Sequence, residues 1–241
     1  QAILNLSEQL KELGSSIKVF YSAPEKVFQD LAKEYAIQSV YTNHDYEPYA
    51  DERDRAVKEM LAKNKIEFKT FKDQCIFEKN EVLSGAGTAY TVFTPYSRKW
   101  KETANEFYLK SYPTEAYFDQ FLKITPPEIP SLQSMGFEAV GQAFPSKTVR
   151  NELLQHYKER RDIPSIPGTS RLSVHLRFGT ISIRELAREA QKLNETFLNE
   201  LIWRDFYMNI LWHVPRVGEG KSFRKAYDQI KWRNDPEEFQ R

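Results

Sequence analysis

Residues 38–71 read QSVYTNHDYEPYADERDRAVKEMLAKNKIEFKTF, and this stretch decides the fold class of the first part of the chain. Gln38–Thr42 and Ile66–Phe71 are short and rich in β-branched and aromatic residues, which predicts two strands. Asp51–Lys63, between them, has the apolar spacing of a helix. Two strands joined through a helix run parallel, with a right-handed crossover. The stretch therefore predicts an α/β domain with a parallel sheet.

The residues before this stretch continue the alternation of helix and strand. Ile3–Leu13 has helical spacing, and Ile17–Tyr21 is a short apolar run that predicts a buried strand. Ser22 and Glu25 stand at the spacing of a capping box and predict a helix that runs to about Tyr35. Because a doubly wound domain normally opens on a strand, we expect the first strand of this domain to precede these residues.

The remaining sequence divides the chain into three parts. Prolines interrupt the stretch after residue 112, which predicts a linker. The pattern then turns helical, with one helix over Thr148–Arg160, a capping box from Ser182 to Glu185, and a long helix over Thr196–Val214. We predict an α/β domain over residues 1–112, a linker over 113–146 and an all-helical domain over 147–241.

Composition excludes several classes of protein. The chain has 241 residues, of which 40% are hydrophobic, and a formal net charge of +1. No apolar run approaches the roughly 20 residues that a bilayer-spanning helix needs. The single cysteine, Cys75, cannot form an internal disulfide, and the histidines lack the spacing of a zinc site. We therefore expect a cytoplasmic protein with no membrane contact and no metal site.

Gly168–Ser173, which read GTSRLS, form the first candidate site. The glycine frees the backbone, and hydroxyl groups and Arg171 stand at the predicted start of a short helix. Free N–H groups and partial positive charge at a helix start favour a phosphate, so the segment fits a phosphate cradle. Tyr157 and Arg161 stand shortly before it. The alternative is an ordinary helix cap beside a surface arginine.

The second candidate site is ELIWRDFY, residues 200–207. Glu200, Trp203 and Tyr207 share one face of the predicted helix, since residues three and four apart are neighbours on a helix surface. A carboxylate, an indole and a phenol together fit a flat aromatic ligand, held by stacking and by a hydrogen bond to its polar edge. The alternative is a half-buried aromatic stripe with a surface ion pair between Glu200 and Arg204.

Together and in this order, the motifs resemble those of the DNA photolyase/cryptochrome family, and within it the class I cyclobutane pyrimidine dimer photolyases. The two candidate segments are the most specific part of the match. The supporting segments are NHDYEPY at 43–49, YTVFTPY at 90–96, LRFG at 176–179 and IKW at 230–232. The resemblance covers essentially the whole chain.

The resemblance implies a fold and a set of site residues. The fold is an N-terminal Rossmann-like α/β antenna domain, a linker, and an all-α domain that binds FAD. The residues implied for FAD binding are Tyr157, Thr169, Ser170, Arg171, Leu172 and Ser173. Those implied for DNA binding are Arg161, Glu200, Trp203, Arg204 and Tyr207. The implied catalytic set is Glu200, which hydrogen-bonds the lesion, Trp203, which stacks on it, and Trp232, the outer tryptophan of the relay that photoreduces the flavin.

The implied activity is that of a deoxyribodipyrimidine photolyase, a carbon–carbon lyase. Such an enzyme flips a cyclobutane pyrimidine dimer out of ultraviolet-damaged DNA, and excited reduced FAD splits the dimer by electron transfer. A cryptochrome-type blue-light photosensor, a six-four photolyase and a nucleotide-binding α/β protein without photochemistry stay open as alternatives. The presence of both Glu200 and Trp203 favours repair. We expect a monomer.

Three departures from the family pattern bear on the cofactors. The second flavin motif, the lesion-binding asparagine and the inner relay tryptophans would follow Arg241, so we expect that the 241 residues alone neither hold FAD tightly nor repair DNA. Phe197 stands where some photolyases have a tryptophan near the flavin. Tyr49-Ala50 replaces the Asn-Glu of folate-binding members, so a deazaflavin, another chromophore or none stays open. The expected cofactors are FAD and an antenna chromophore of unknown type.

Overall fold

The computed structural model of the chain describes residues 1–138, 140–141 and 143–240. Its first part contains helices α1 (Ala2–Glu12), α2 (Pro24–Glu34) and α3 (Pro48–Lys63), and strands β1 (Ser39–Asn43) and β2 (Glu67–Phe71). The strands pair in parallel, from Ser39 opposite Glu67 to Asn43 opposite Phe71. Because α3 connects the two strands, the predicted strand–helix–strand order and the parallel sheet are confirmed.

A small apolar core joins the sheet to α2 and α3. Val57, Leu61 and Ile66 are buried in it, and Phe28 and Val40 pack against them. Val57 and Leu61 lie four residues apart, so they occupy one face of α3. This core fixes both strands relative to their helices, and so it positions the loops that leave the ends of the strands.

Two details of the predicted N-terminal pattern are wrong. Ile17–Tyr21 forms no strand, since among the described residues β1 and β2 pair only with each other. Phe20 and Tyr21 are largely exposed. An apolar run becomes a strand only where a neighbour accepts its backbone hydrogen bonds. Ser22 does not cap α2 either, because the N-cap is Ala23 and no side chain bonds there.

The second part of the chain is helical. Its α-helices are α4 (Phe93–Thr103), α5 (Glu106–Leu109), α6 (Asn151–Gln155), α7 (Tyr157–Arg160), α8 (Ser173–Arg177), α9 (Ile183–Leu193), α10 (Glu195–His213) and α11 (Pro236–Phe239). Short 3₁₀ turns span Thr114–Gln120, Gln133–Met135, Pro215–Val217 and Lys225–Gln229. The predicted α/β part followed by a helical part is confirmed.

Capping side chains start the two main helices of this part. Ser182 accepts a hydrogen bond from the backbone N–H of Glu185 (3.3 Å), so the predicted cap of α9 is confirmed. Asn194 caps α10 in the same way. The single helix predicted over Thr148–Arg160 is wrong, because the backbone of His156 (φ −99°, ψ 17°) leaves helical geometry and separates α6 from α7.

The larger core contains residues from both sides of the linker. Phe77, Tyr96 and Trp100 are buried in it together with Ile202 and Phe206 of α10. The segment from residue 76 to residue 109 therefore shares its core with the later helices. The domain boundary predicted at residue 112 stays a prediction.

Residues 73–79, which we call the strap, follow β2 and join the two parts. The fully buried carboxylate of Asp205 on α10 accepts hydrogen bonds from the backbone N–H groups of Ile76 (3.1 Å) and Phe77 (3.1 Å). The indole N–H of Trp100 donates to the same carboxylate (2.9 Å). One side chain of α10 thus holds both the strap and α4.

Further side chains hold the strap through its carbonyl groups. Arg184 of α9 donates to the carbonyl oxygen of Asp73 (2.9 Å). Asn209 of α10 donates to that of Lys79 (2.9 Å). Since buried backbone groups need partners, these bonds place the end of the α/β part on α9 and α10 in one arrangement.

Candidate functional site

One face of α10 carries Glu200, Trp203 and Tyr207, at the spacing that the sequence predicted, and we call it the site face. The rings of Trp203 and Tyr207 stack, with centroids 5.4 Å apart and planes 23° from parallel. Tyr207 is 58% exposed, and Trp203 is half-buried. The site face therefore offers an accessible aromatic surface with a carboxylate one turn away.

The indole of Trp203 has a second aromatic neighbour that the sequence analysis missed. Phe93, the first residue of α4, stacks on it with centroids 3.6 Å apart and planes 5° from parallel. The two residues are far apart in the chain, and only the packing of α4 on α10 joins them. The one signal in the sequence is that Phe93 lies within the segment YTVFTPY.

Glu200 pairs with Arg161 rather than with Arg204. The guanidinium group of Arg161 donates a charged hydrogen bond to the Glu200 carboxylate, and both side chains are about one-third exposed. This bond raises the pKa of Arg161. The same guanidinium lies 5.6 Å from the centre of the Tyr157 ring. The arginine predicted for DNA and the carboxylate predicted for the lesion therefore meet in one place.

Tyr157, predicted to contact the flavin, is buried at the start of α7. Its ring meets that of Phe197 edge to face, with centroids 5.0 Å apart and an interplanar angle of 73°. Burial raises the pKa of the Tyr157 phenol, and the charge of Glu200 raises it further. The hydroxyl group therefore keeps its proton at neutral pH and can donate a hydrogen bond.

The loop over residues 168–173 packs against the end of α7. A β-carbon at Gly168 would lie 2.3 Å from the carbonyl oxygen of Arg160, so only glycine fits there. Leu172 is buried and anchors the loop in the core, while Arg171 has the left-handed backbone conformation (φ 54°). The loop is thus tied to the helix that carries Tyr157.

This loop lines an open cavity with a volume of about 630 Å³. The walls include all five loop residues predicted for FAD, Thr169–Ser173, together with Phe144 and Pro145. Hydroxyl groups and a guanidinium group are donors that bind phosphate, and the phenylalanine ring supplies an apolar wall. The residues present therefore fit the phosphate-bearing part of FAD.

Two residues predicted for the site lie elsewhere. Arg204 donates to the carbonyl oxygens of Gln74 and Leu176 (3.5 Å to the latter), so its guanidinium group holds the strap. Its predicted contact with DNA stays a prediction. Trp232 is 80% exposed and lies in an irregular segment. Its predicted place in the electron relay stays a prediction.

A second cavity, with a volume of about 850 Å³, opens at the carboxyl ends of the strands. Residues 43–45 and 73–74, which end or follow β1 and β2, form one wall, and residues 176–184 form the other. Ligands of open α/β sheets bind at this edge of the sheet. The side chain of Arg53 adds a cation to those of Arg177 and Arg184. No local sequence pattern indicates this cavity, because its walls come from both parts of the chain.

In the part of the chain that the structure describes, no helix is long and apolar enough to cross a membrane. The same residues contain no group of three or more side chains suited to hold a metal ion.

Comparison with known proteins identifies the family. The model of the DNA photolyase family matches residues 1–116, and the model of the FAD-binding domain of DNA photolyase matches residues 197–241. The deoxyribodipyrimidine photo-lyase of Halobacterium salinarum is 32% identical over 99% of this chain and 54% of the relative. The chain belongs to the DNA photolyase/cryptochrome family, as its motifs predicted. It spans about half the length of the curated relatives it matches.

Two solved structures share the fold. The class III photolyase from Agrobacterium tumefaciens superposes with a TM-score of 0.78 and 24% identity, over 99% of this chain and 54% of that chain. The archaeal photolyase from Sulfolobus tokodaii, solved with two FAD molecules, gives a TM-score of 0.66 and 27% identity, over 99% and 53%. Because one of these neighbours is of class III, the predicted class I assignment stays a prediction.

Proposed function

We propose that the protein is a deoxyribodipyrimidine photolyase, an FAD-dependent lyase that uses light to split cyclobutane pyrimidine dimers in DNA. The observation that carries the proposal is the site face of α10, where Glu200, Trp203 and Tyr207 lie together beside Arg161. A nucleotide-binding α/β protein without photochemistry has no need of an accessible aromatic surface next to a carboxylate. Relatives that carry this name support the proposal.

The loop over residues 168–173 and Tyr157 would hold FAD. The hydroxyl groups of the loop and the guanidinium group of Arg171 would bind its phosphates from the walls of the 630 Å³ cavity. The protonated phenol of Tyr157 would donate a hydrogen bond. When bound, FAD supplies the light-driven electron transfer, and the protein supplies binding and orientation. The close packing of Gly168 on α7 keeps these groups in place.

A flipped-out dimer would stack on the surface formed by Trp203 and Tyr207. Stacking of one base on an aromatic side chain contributes about 1–3 kcal/mol. The Glu200 carboxylate would accept a hydrogen bond from a pyrimidine N–H group, while Arg161 holds that carboxylate in place and carries positive charge toward the DNA phosphates. Extrusion of the dimer costs only a few kcal/mol, because the lesion already disturbs base stacking.

The cavity at the strand ends is our proposal for the antenna chromophore. It lies where α/β sheets bind ligands, and its volume is within the range of small-molecule sites. The half-exposed guanidinium group of Arg177 suits a chromophore that carries a phosphate, whereas Arg53 is paired with Asp54 and Arg184 with the strap. The Sulfolobus relative with two FAD molecules supports a flavin as the second chromophore. The replacement of Asn-Glu by Tyr49-Ala50 argues against a folate.

The direct test is the dimer content of ultraviolet-irradiated DNA incubated with the whole, FAD-loaded protein, and not with the 241 residues alone, in the presence and in the absence of blue light. We expect dimers to disappear only in the light. Trp203→Ala should weaken binding of a dimer-containing oligonucleotide about 5- to 150-fold, since that range corresponds to a loss of about 1–3 kcal/mol of stacking. Trp212→Ala is the matched control, because Trp212 lies on the opposite side of α10, where Lys79 is 4.9 Å from its ring centre.

Each component of this proposal can be contradicted separately. Dimers that persist in the light, while bound flavin is still photoreduced, would exclude the dimer lyase and favour a photosensor or a six-four photolyase. Equal losses of binding in the two tryptophan variants would instead remove Trp203 from the lesion site and leave the activity itself standing.

A further inference from the structure

The stacked pair of Phe93 and Trp203 joins α4 to the site face of α10. The rings lie 3.6 Å apart between centroids and within 5° of parallel, so Phe93 covers one face of the indole. Phe93 also meets Phe206 edge to face, at 5.9 Å and 76°. Aromatic pairs usually prefer an offset or edge-to-face arrangement. Packing of the two helices, rather than the preference of the rings, therefore imposes this parallel contact.

Two buried contacts on the same face of α4 hold Phe93 in this position. Tyr96 follows Phe93 by three residues, and its ring lies 5.2 Å from that of Phe206. Trp100 follows by seven, is fully buried, and donates to the Asp205 carboxylate. Residues three, four and seven apart share a helix face, so all three aromatic residues of α4 point at α10. The backbone at Phe93 is thus fixed relative to Trp203.

We propose that Phe93 is a positioning residue of the lesion site. It sets the plane of the Trp203 indole and, through the stacking of Trp203 on Tyr207, the plane of the exposed phenol ring that a flipped-out pyrimidine would contact. The inference rests on the proposed function of the site face. Since Phe93 and Tyr207 both stack on the indole, a pyrimidine ring has to use the exposed ring at the outer end of this stack, that of Tyr207. A rigid and correctly oriented surface binds more tightly than one that must first be ordered.

The test compares Phe93→Leu with Phe93→Tyr in the FAD-loaded protein. The probe is an oligonucleotide with a single thymine dimer, measured against the same oligonucleotide without it. We expect Phe93→Leu to lower the preference for the dimer about 5-fold, as for loss of an aromatic pair, and to leave binding of undamaged DNA unchanged. Phe93→Tyr keeps the ring and should restore the preference. Phe118→Leu is the control, because Phe118 is also half-buried and pairs with another ring, that of Phe121.

Three results of this test would overturn the proposal. Unchanged dimer preference in Phe93→Leu would show that the indole needs no support. Tighter dimer binding would show that Phe93 occupies the place of the lesion instead of orienting its partner. Reduced binding of both oligonucleotides, without rescue by Phe93→Tyr, would mean general loss of structure and would equally contradict a positioning role.

A measurement without DNA separates this proposal from the function on which it rests. In the 241-residue chain without FAD, with Trp212 and Trp232 changed to Phe, the remaining tryptophans are Trp100 and Trp203. Fluorescence quenching by acrylamide then reports chiefly on Trp203, since Trp100 is fully buried. We expect Phe93→Leu to increase quenching, and unchanged quenching would overturn the positioning role. If the unchanged protein shows no preference for the dimer, the proposed function fails, and quenching still decides whether Phe93 fixes Trp203.

Discussion

The loop proposed for the FAD phosphates depends on one residue without a side chain. At Gly168 a β-carbon would lie 2.3 Å from the carbonyl oxygen of Arg160 and 2.6 Å from its carbonyl carbon. Backbone atoms cannot move aside as the end of a flexible side chain can. A substitution there must therefore displace the loop, α7 or both.

We expect Gly168→Ala to lower the free energy of unfolding by about 1–3 kcal/mol, the usual cost of overpacking, and to weaken FAD binding. Chemical denaturation and a flavin titration measure the two effects. Gly85→Ala is the matched control, because no atom lies within 4 Å of the place of its β-carbon. If both variants bind FAD as tightly as the unchanged protein, Gly168 does not position the loop.

The charged pair of the site shows where residue patterns stop being informative. The sequence places Glu200 on the site face of α10, together with Trp203 and Tyr207. The helical period suggests Arg204 as its ion-pair partner. In the folded chain Arg161 takes that place, and Arg204 bonds to carbonyl oxygens of the strap and of Leu176. The helical period predicts only partners on the same helix, such as Arg204. The actual partner, Arg161, follows α7 and reaches Glu200 because α7 packs against α10.

At the scale of elements, α10 carries two sets of side chains with different tasks. The site face holds Glu200, Trp203 and Tyr207. Another side holds Asp205, which is fully buried and bonds the strap and Trp100 of α4. Because the two sets belong to one helix, the bonds of Asp205 fix the rotation of α10, and with it the direction of the site face.

Burial raises the pKa of the Asp205 carboxyl to about 6, although three N–H donors and the Arg204 charge favour its ionised form. The native state therefore binds more protons than the unfolded state between the ordinary value near 3.8 and about 6. The contribution of Asp205 to stability is fully present below the ordinary value and is lost as the pH rises through about 6. From pH 4 to pH 7 we expect the unfolding free energy of the protein to fall by about 2–3 kcal/mol relative to that of Asp205→Asn.

Urea denaturation of both proteins across this pH range measures the difference. Asp119→Asn is the matched control for loss of a carboxylate, since Asp119 is exposed. Parallel pH profiles for the unchanged protein and Asp205→Asn would mean that Asp205 titrates alike in the folded and unfolded chains. Its burial would then not control stability in this range.

At the scale of the whole molecule, the strap connects two separate apolar cores, one in the α/β part and one in the helical part. The small core of the α/β part and the large core of the helical part are built from different residues, and the strap joins them through α9 and α10. The cavity at the strand ends lies along this junction and takes its walls from both parts. A chromophore bound there would touch the α/β part and the helical part at once.

A phosphate-bearing flavin should use an arginine of this cavity. Arg177 is half exposed, and its carboxylate partner, Glu47, lies 3.5 Å away. We expect Arg177→Ala to weaken binding of FMN about 5-fold and to leave binding of riboflavin, which has no phosphate, unchanged. Fluorescence titration measures both affinities. Arg98→Ala, an exposed arginine of α4, is the control, and an equal loss for FMN and riboflavin would exclude a phosphate contact.

Periodicity located most of the helices and strands, because period and capping are local properties. β1, β2 and α10 begin and end within a few residues of the predicted positions, and α9 begins where its capping box predicted. Ile17–Tyr21 has the composition of a strand and forms none, since a strand also needs a neighbour. His156 breaks a helix that the pattern predicted as continuous. These differences arise where the outcome depends on residues distant in the chain.

The sequence by itself determined the family, the α/β part followed by helices, and the site face of α10. Each of these follows from local order, since motifs are contiguous and helix faces repeat with a fixed period. Only the tertiary structure decided that Phe93 stacks on Trp203 and that Arg161 forms an ion pair with Glu200. It also decided that Asp205 bonds to the strap and that a cavity opens at the strand ends. Each of these joins residues far apart in the chain, and their meeting is set by how whole helices pack to bury their apolar faces.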